Sequence, residues 1–383
     1  MSRKEVDQNK QLPLKDQKEI DSLITLYTPI DLLATSEVPE PGKEIIYYPI
    51  LHGPGLDSLA QISRKKTPER DTIEDTAVYT DSNYTFTLKG YSYLIEANLV
   101  GLRVSTQKLL DILIIDITQK NSKDGRIRTT ANISLEEYMQ KCGIEVNEYN
   151  KNKLRKKVKE DLEILYWLSL DWKEYKGIQT EGTDKAGYKN FLKMRICSAI
   201  GIIKNGQIVV NFTPEIVNYL TQSYIMWYPD NLLKTDDRNP STFHIGRKLF
   251  LHYNNPNNQH RGTYNILSVR ALLDSTKDIP SEAEVTGRHY YQYRITPLFK
   301  ALDALVEIKV LKKWELCGAK KKPLNKSQQE RKNYKSTLER YIYFELIENK
   351  KLSQYIIQAK QITTKDKKQQ SKKQKEEIKK CPK

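Results

Sequence analysis

One pattern occurs twice in the chain, and it constrains the fold more than any other feature. A short polar-capped segment, Ser134-Leu135-Glu136-Glu137-Tyr138-Met139, precedes a basic segment that runs through Lys153-Leu154-Arg155-Lys156-Lys157-Val158 into Asp161-Leu162-Glu163-Ile164-Leu165. An extended stretch ending at Trp172 follows. Further along, the plan returns. Ser268-Val269-Arg270-Ala271-Leu272-Leu273 is the short segment, Arg288-His289-Tyr290-Tyr291 opens a basic, aromatic one running into Ala301-Leu302-Asp303-Ala304-Leu305, and the extended stretch ends at Trp314. Short helix, turn, longer basic helix, then strands is the order of a winged helix-turn-helix. The expected fold is therefore α+β, with two winged helix-turn-helix domains in tandem. The first is expected over 81–228 and the second over 236–350, with an irregular N-terminal arm at 1–80 and a disordered Lys-rich tail at 362–383.

Local chemistry supports these elements. Ser134-x-x-Glu137 and Ser281-x-x-Glu284 have the spacing of a capping box, in which hydroxyl and carboxylate each satisfy an orphan backbone N–H. Gly143 ends the first short helix. The basic helix is expected over roughly 147–167, with Leu154, Val158, Leu162 and Leu165 as its apolar stripe; Asn152, Lys153, Lys156 and Lys159 point the other way. Ser105 is expected to cap an amphipathic helix carrying Leu109, Leu110, Leu113, Ile114 and Ile117. Tyr84 to Leu94 alternates like a strand. Ser169–Lys173, Phe191–Ile200 and Gln207–Phe212 read as strands of a wing, with Asn205-Gly206 as a tight hairpin turn. A helix is expected over 241–253, and strands over 310–316 and 340–347. Pro297 falls inside the second basic helix, where a proline kinks or splits it. Pro39, Pro41, Pro49 and Pro54 break up the arm, leaving at most a short strand near Ile45–Tyr48.

The chain carries 64 Lys and Arg against 48 Asp and Glu among 383 residues, a formal net charge of +16. Such a charge fits a polyanionic partner, nucleic acid or acidic membrane surface. No segment has the roughly 20 apolar residues a bilayer span needs, and the N-terminus lacks the apolar run of a signal peptide. A cytoplasmic protein without membrane attachment is expected. Cys142, Cys197, Cys317 and Cys381 are scattered, without a CxxC pair, and read as free thiols rather than a metal site.

Catalytic signatures are missing. There is no G-x-x-x-x-G-K-[ST] loop, no serine-nucleophile elbow and no H-E-x-x-H. His52, His244, His252, His260 and His289 are dispersed and read as packed or surface side chains. The expectation is a non-enzymatic protein with neither cofactor nor metal. DNA binding has more support, because a reading helix needs cations for phosphates and amide or guanidinium groups for base edges. The first helix offers Asn152, Lys153, Arg155, Lys156, Lys157 and Lys159; the second offers Arg288, His289, Tyr290, Gln292, Tyr293 and Arg294. The plainer alternative is a solvated lysine face, and for the tyrosines a place in the core, as for Tyr291. Trp172 and Trp314 are read as core of their wings.

Leu102-Arg103-Val104-Ser105-Thr106-Gln107-Lys108-Leu109-Leu110, with Arg155-Lys156-Lys157-Val158-Lys159-Glu160-Asp161-Leu162, resembles the first winged helix of plasmid replication initiators from Gram-positive bacteria and their mobile elements. Ile279-Pro280-Ser281, Arg288-His289, Ala301-Leu302-Asp303-Ala304-Leu305 and Trp314-Glu315 resemble the second half of the same group. The resemblance implies sequence-specific binding of double-stranded DNA at origin repeats, local duplex opening and recruitment of host replication proteins. It also implies a homodimeric form able to repress. Two alternatives stand beside it: a winged-helix transcription regulator without a replication role, and a tyrosine-dependent origin nickase.

Overall fold

A computed structural model describes residues 47–52, 69–71, 76–80, 84–89, 103–124, 128–172, 192–203, 205–221, 224–255, 258–259, 261–276, 278–285, 289–322, 324 and 333–347. The expected tail, Arg288 and His260 lie outside them, as does the side chain of Trp172.

The first unit is organised by α1, Val104–Asp124. Its apolar residues Leu109, Leu110, Leu113, Ile114 and Ile117 are buried, as the spacing predicts, but so are Ser105, Thr106, Gln107, Lys108, Asp111 and Thr118. A helix covered all round must find partners for its polar groups. Ser105 Oγ and Thr106 Oγ1 donate to Asp161 at 3.2 and 2.5 Å. Gln107 donates to Asp111 at 3.0 Å. Ser105 is thus an internal residue committed to Asp161 and not the cap. The Arg103 carbonyl begins the ladder by accepting from Gln107 N–H. The amphipathic reading of this helix gives way to a central one.

After α1 come β5 (Thr130–Ser134), α2 (Leu135–Lys141) and α3 (Glu148–Trp167). The hairpin β8 (Cys197–Ile202) and β9 (Gln207–Phe212) closes a three-stranded sheet in the order β5-β9-β8, and α4 (Pro214–Thr221) follows it. The second unit repeats the plan with α6 (Pro240–Asn254), β11 (Ile266–Ser268), α7 (Val269–Leu273), α8 (Thr296–Glu307), β12 (Leu311–Cys317) and β13 (Tyr341–Leu346). Its sheet order is β11-β13-β12. In both units the strand before the short helix pairs with the last strand of the wing. The duplication read from the sequence is therefore a duplication of topology.

Two expectations are corrected. The described part of the arm is not irregular. β1 (Tyr47–His52) pairs antiparallel with β10 (Tyr224–Pro229), and β2 (Glu69–Asp71) and β3 (Thr76–Thr80) extend a five-stranded sheet with β4 (Tyr84–Lys89). Ile50 is buried in the common core, and the Tyr47 hydroxyl donates to the Ile347 carbonyl, so β1 reaches the second unit. The strand after α3 is not part of the wing either. β6 (Leu168–Trp172) and β7 (Leu192–Arg195) complete the sheet β2-β3-β4-β6-β7, and the chain crosses to the wing sheet at Ile196.

The two units meet through α1 and α6. Arg247 of α6 lies 3.2 Å from Asp111 of α1, with side chains 5% and 1% exposed. Buried charges of this kind persist only when paired. Lys108 of α1 donates to Asp237 at 2.8 Å and to the Thr235 carbonyl in the segment between α5 (Asp230–Leu233) and α6.

Candidate nucleic-acid interface

The turn that aims α3 is built from backbone chemistry. Gly143 has φ +67°, the left-handed region glycine adopts without strain. Ile144 N–H donates to the Met139 carbonyl at 2.8 Å and Gly143 N–H to Gln140 at 3.1 Å, the pair of bonds that closes a helix C-terminus. The chain restarts at Asn147, whose side chain accepts from Asn150 N–H at 2.8 Å. At the other end of α2, Ser134 Oγ accepts from Glu137 N–H at 3.0 Å, while the Glu137 carboxylate faces Lys141 at 3.7 Å.

Leu154, Val158, Leu162 and Leu165 are buried, as the stripe predicts. Asn152, Lys153, Lys156 and Lys159 are exposed on the opposite side, and Arg155 is exposed on the flank toward the wing. Among the described residues no carboxylate pairs with Lys153, Arg155, Lys156 or Lys159. Their neighbours behave differently. Lys151 is held by Glu136 at 2.7 Å and Glu148 at 3.0 Å. Lys157, half-exposed, lies 2.6 Å from Asp237. Burial would raise the Asp237 pKa, but Lys108 and Lys157 outweigh it and hold the carboxyl below its ordinary value. Lys157 is thus tied to the segment before α6 and is set apart from the open row. Arg155 reaches the wing, where a Cβ at Gly206 would stand 3.9 Å from its Nη2. That turn forms as Asn205-Gly206 predicts, with Gly206 at φ +79° and its N–H donating to the Ile203 carbonyl at 2.9 Å.

The second basic helix resolves the difficulty of Pro297. A π-helical turn, Tyr291–Ile295, precedes α8, and Pro297 falls in the first turn of α8. Thr296 N–H donates to the Tyr291 carbonyl, five residues back. The wider turn displaces the carbonyl that the proline ring would strike, and the missing N–H sits where helices leave N–H groups unbonded. His289, Gln292 and Tyr293 are exposed; Tyr290 is half-buried and stacks on Tyr334 at 5.3 Å. Arg294 is a correction. It is buried, donating to the Pro280 carbonyl at 2.7 Å, pairing with Glu282 at 3.2 Å and bonding the Tyr334 hydroxyl. The Tyr334 pKa is pushed up to about 12 by burial and by its bond to Glu282. Arg294 therefore staples the π turn to the Ser281–Glu284 turn, where Ser281 N–H donates to Glu284 at 2.6 Å. Tyr291 packs against the core, as expected. Trp314 is half-buried on Phe299 at 5.0 Å, its Nε1 donating to Asp303 at 2.9 Å.

The remaining candidates are structural. His244 is buried against Phe243, and His252 donates to or accepts from partners in its own loop, with burial lowering its pKa. Cys142, Cys197 and Cys317 are free thiols; burial pushes Cys142 up to about 11 and Cys197 to about 12. Among the described residues no three His, Cys, Asp or Glu side chains are grouped to hold a metal ion, and no helix is long and apolar enough to cross a membrane. Sequence reasoning missed Asp237 as the anchor of Lys157, and it missed the exposure of Tyr149, 75% open at the start of α3. The acidic pair Asp236-Asp237 between Lys234 and Arg238 is the sequence signal for the first.

Two units, each with a short helix leading to a longer one and followed by paired antiparallel strands, define a tandem winged-helix protein. Residues 87–228 match the family model described as "Initiator Replication protein, WH1". Over this span the chain is similar to the first winged helix of replication initiator proteins. Among solved structures, domains 2 and 3 of RctB match at 8% identity and a TM-score of 0.41, covering 75% of this chain and 97% of that one. Selenomethionine derivatives of the same two domains match at 9% and 0.38, covering 74% and 96%. No curated protein matches the chain.

Proposed function

We propose that this protein is a replication initiator that binds double-stranded DNA at the repeats of a plasmid or mobile-element replication origin, opens the duplex locally and recruits host replication proteins. Each winged helix inserts one helix into a major groove, the two grooves lying roughly one helical turn apart on one side of the duplex. The observation that carries this reading is the open cationic row of α3: Lys153, Arg155, Lys156 and Lys159 project, without carboxylate partners among the described residues, from a helix whose other face is core. Charges in that state gain most from phosphates, since binding releases counterions without breaking ion pairs. Asn152 on α3 and Gln292 on the second helix supply amides for base edges, each able to discriminate by about 1–3 kcal/mol. His289 and Tyr293 complete the second face, with Arg288 beside them in the sequence.

A plasmid maintenance assay tests the reading. The gene and its neighbouring DNA, placed on a vector without an origin, are expected to let that vector persist, and Lys156→Ala to impair persistence. A wild-type gene that binds the neighbouring repeats yet never sustains the vector contradicts the initiator role and leaves a regulator.

A further inference from the structure

Among the described residues the exposed large apolar side chains are Val146, Tyr149, Ile203 and Tyr293, at 39%, 75%, 50% and 51% exposure. Single exposed apolar groups are ordinary on any protein surface. Their placement is not. Val146 and Tyr149 flank Asn147, the cap of α3. Tyr149 stands three and four residues before Asn152 and Lys153, so it shares their face one turn nearer the N-terminus. Ile203 opens the wing turn whose Gly206 abuts Arg155. Tyr293 lies beside Gln292 in the π turn, with His289 edge-on to its ring at 6.3 Å. All four surround the two faces already argued to meet DNA, and folding gains little from rings left this open.

Residues at the N-terminal end of a reading helix are those that reach base edges. Of the groups a base pair shows in the major groove, one is apolar: the thymine C5-methyl. We infer that Tyr149 and Tyr293 are specificity-determining residues that pack on thymine methyls, one in each half of the recognised site. The inference rests on the DNA-binding reading above. The amides of Asn152 and Gln292 then read an adjacent base while each ring excludes water from the methyl. The open lysines hold the backbone and make no choice of sequence. Val146 and Ile203 border the same contacts as apolar margins.

Duplexes selected from a random pool by the full-length protein provide the probe. They are resynthesised with deoxyuridine replacing each thymine in turn, which removes only the methyl. Wild-type protein is expected to lose about three- to fivefold in affinity at one or two thymines in each half-site, the worth of burying one methyl. Tyr149→Ala is expected to bind the thymine duplex more weakly and to ignore deoxyuridine in its own half-site, while keeping the penalty in the other. Tyr293→Ala shows the converse pattern. Tyr149→Phe keeps the ring and keeps the penalty. Both tyrosines are exposed, so the unfolding midpoints stay at the wild-type value and confirm intact protein. Wild-type protein that binds thymine and deoxyuridine duplexes equally overturns the inference, while salt-dependent, sequence-selective binding preserves the reading beneath it. Alanine variants that retain every methyl penalty overturn it too. A selection that enriches no sequence overturns both.

Discussion

The longer helices of the two winged-helix units share a topology and present different chemistry. α3 is a regular helix of 20 residues, capped by Asn147, whose outward face is a row of open cations. Its counterpart begins as a π turn, admits Pro297 into the first turn of α8, and turns its central arginine inward to Pro280, Glu282 and Tyr334. What it leaves outside is His289, Gln292 and Tyr293. A duplicated fold thus does not imply a duplicated surface. On the proposed DNA-binding reading, the first helix serves long-range attraction to phosphate, and the second short-range contact by amide and ring.

The comparison presumes that both units form one body, and Asp111 with Arg247 is where to break it. Asp111→Ala strips the carboxylate from a buried guanidinium and is expected to cost about 3–5 kcal/mol in urea unfolding; a loss below about 1 kcal/mol would mean the units are not coupled through this pair. Next in size is Arg294→Ala. It removes charged hydrogen bonds from a buried site, so a loss of about 1.5–3 kcal/mol is expected with the salt dependence of DNA binding unchanged. Arg155→Ala should do the opposite, changing stability by less than about 0.5 kcal/mol while making the salt dependence shallower. If Arg294→Ala instead weakens DNA binding in a salt-dependent way and leaves stability alone, the inward assignment is wrong.

Smaller effects sharpen the contrast in backbone. Gly143→Ala forces a Cβ into a left-handed position, 3.2 Å from Lys234 Cγ, and is expected to cost about 1 kcal/mol through the turn that aims α3. Pro297→Ala loses the restriction of the unfolded chain, about 0.4–1 kcal/mol, because the π turn already accommodates the ring. Smallest is a pH effect at the contact that ties α1 and α3 to Asp237. Burial raises the Asp237 pKa and the two lysines more than reverse it, so the folded value lies below the ordinary 3.8. Stability from this contact is present above that ordinary value and is lost as pH falls through the folded one. Asp237→Asn should therefore flatten the acid limb of the stability curve below about pH 4, as followed by thermal unfolding at stepped pH.

Local chemistry was legible in the sequence. The Leu154–Leu165 stripe, the hydroxyl cap at Ser134, the box at Ser281 and Glu284 and the Asn205-Gly206 turn all form, because each depends on residues a few positions apart. What failed depends on distant partners. β5 has only Ala131 and Ile133 to bury and becomes a strand by pairing with β9, far along the chain. β6 was read as wing because nothing between 168 and 172 says that β4 lies beside it. The polar residues of α1 looked like a solvent face, yet they are covered by Asp161, Asp237 and Arg247 from three other segments. Of the candidate interface, the open lysines and Asn152 were readable from helical phase. The inward turn of Arg294 and the tether on Lys157 were not, since each is decided by one carboxylate elsewhere.

The division of labour between the helices is tested most directly by salt titration of DNA binding. With Lys153, Lys156 and Lys159 all replaced by alanine, the slope of log Kobs against log salt concentration is expected to become shallower by about 2.7, three phosphate contacts at roughly 0.9 each. A triple variant that folds normally and keeps the wild-type slope would contradict the assignment of α3 as the helix that grips the phosphate backbone.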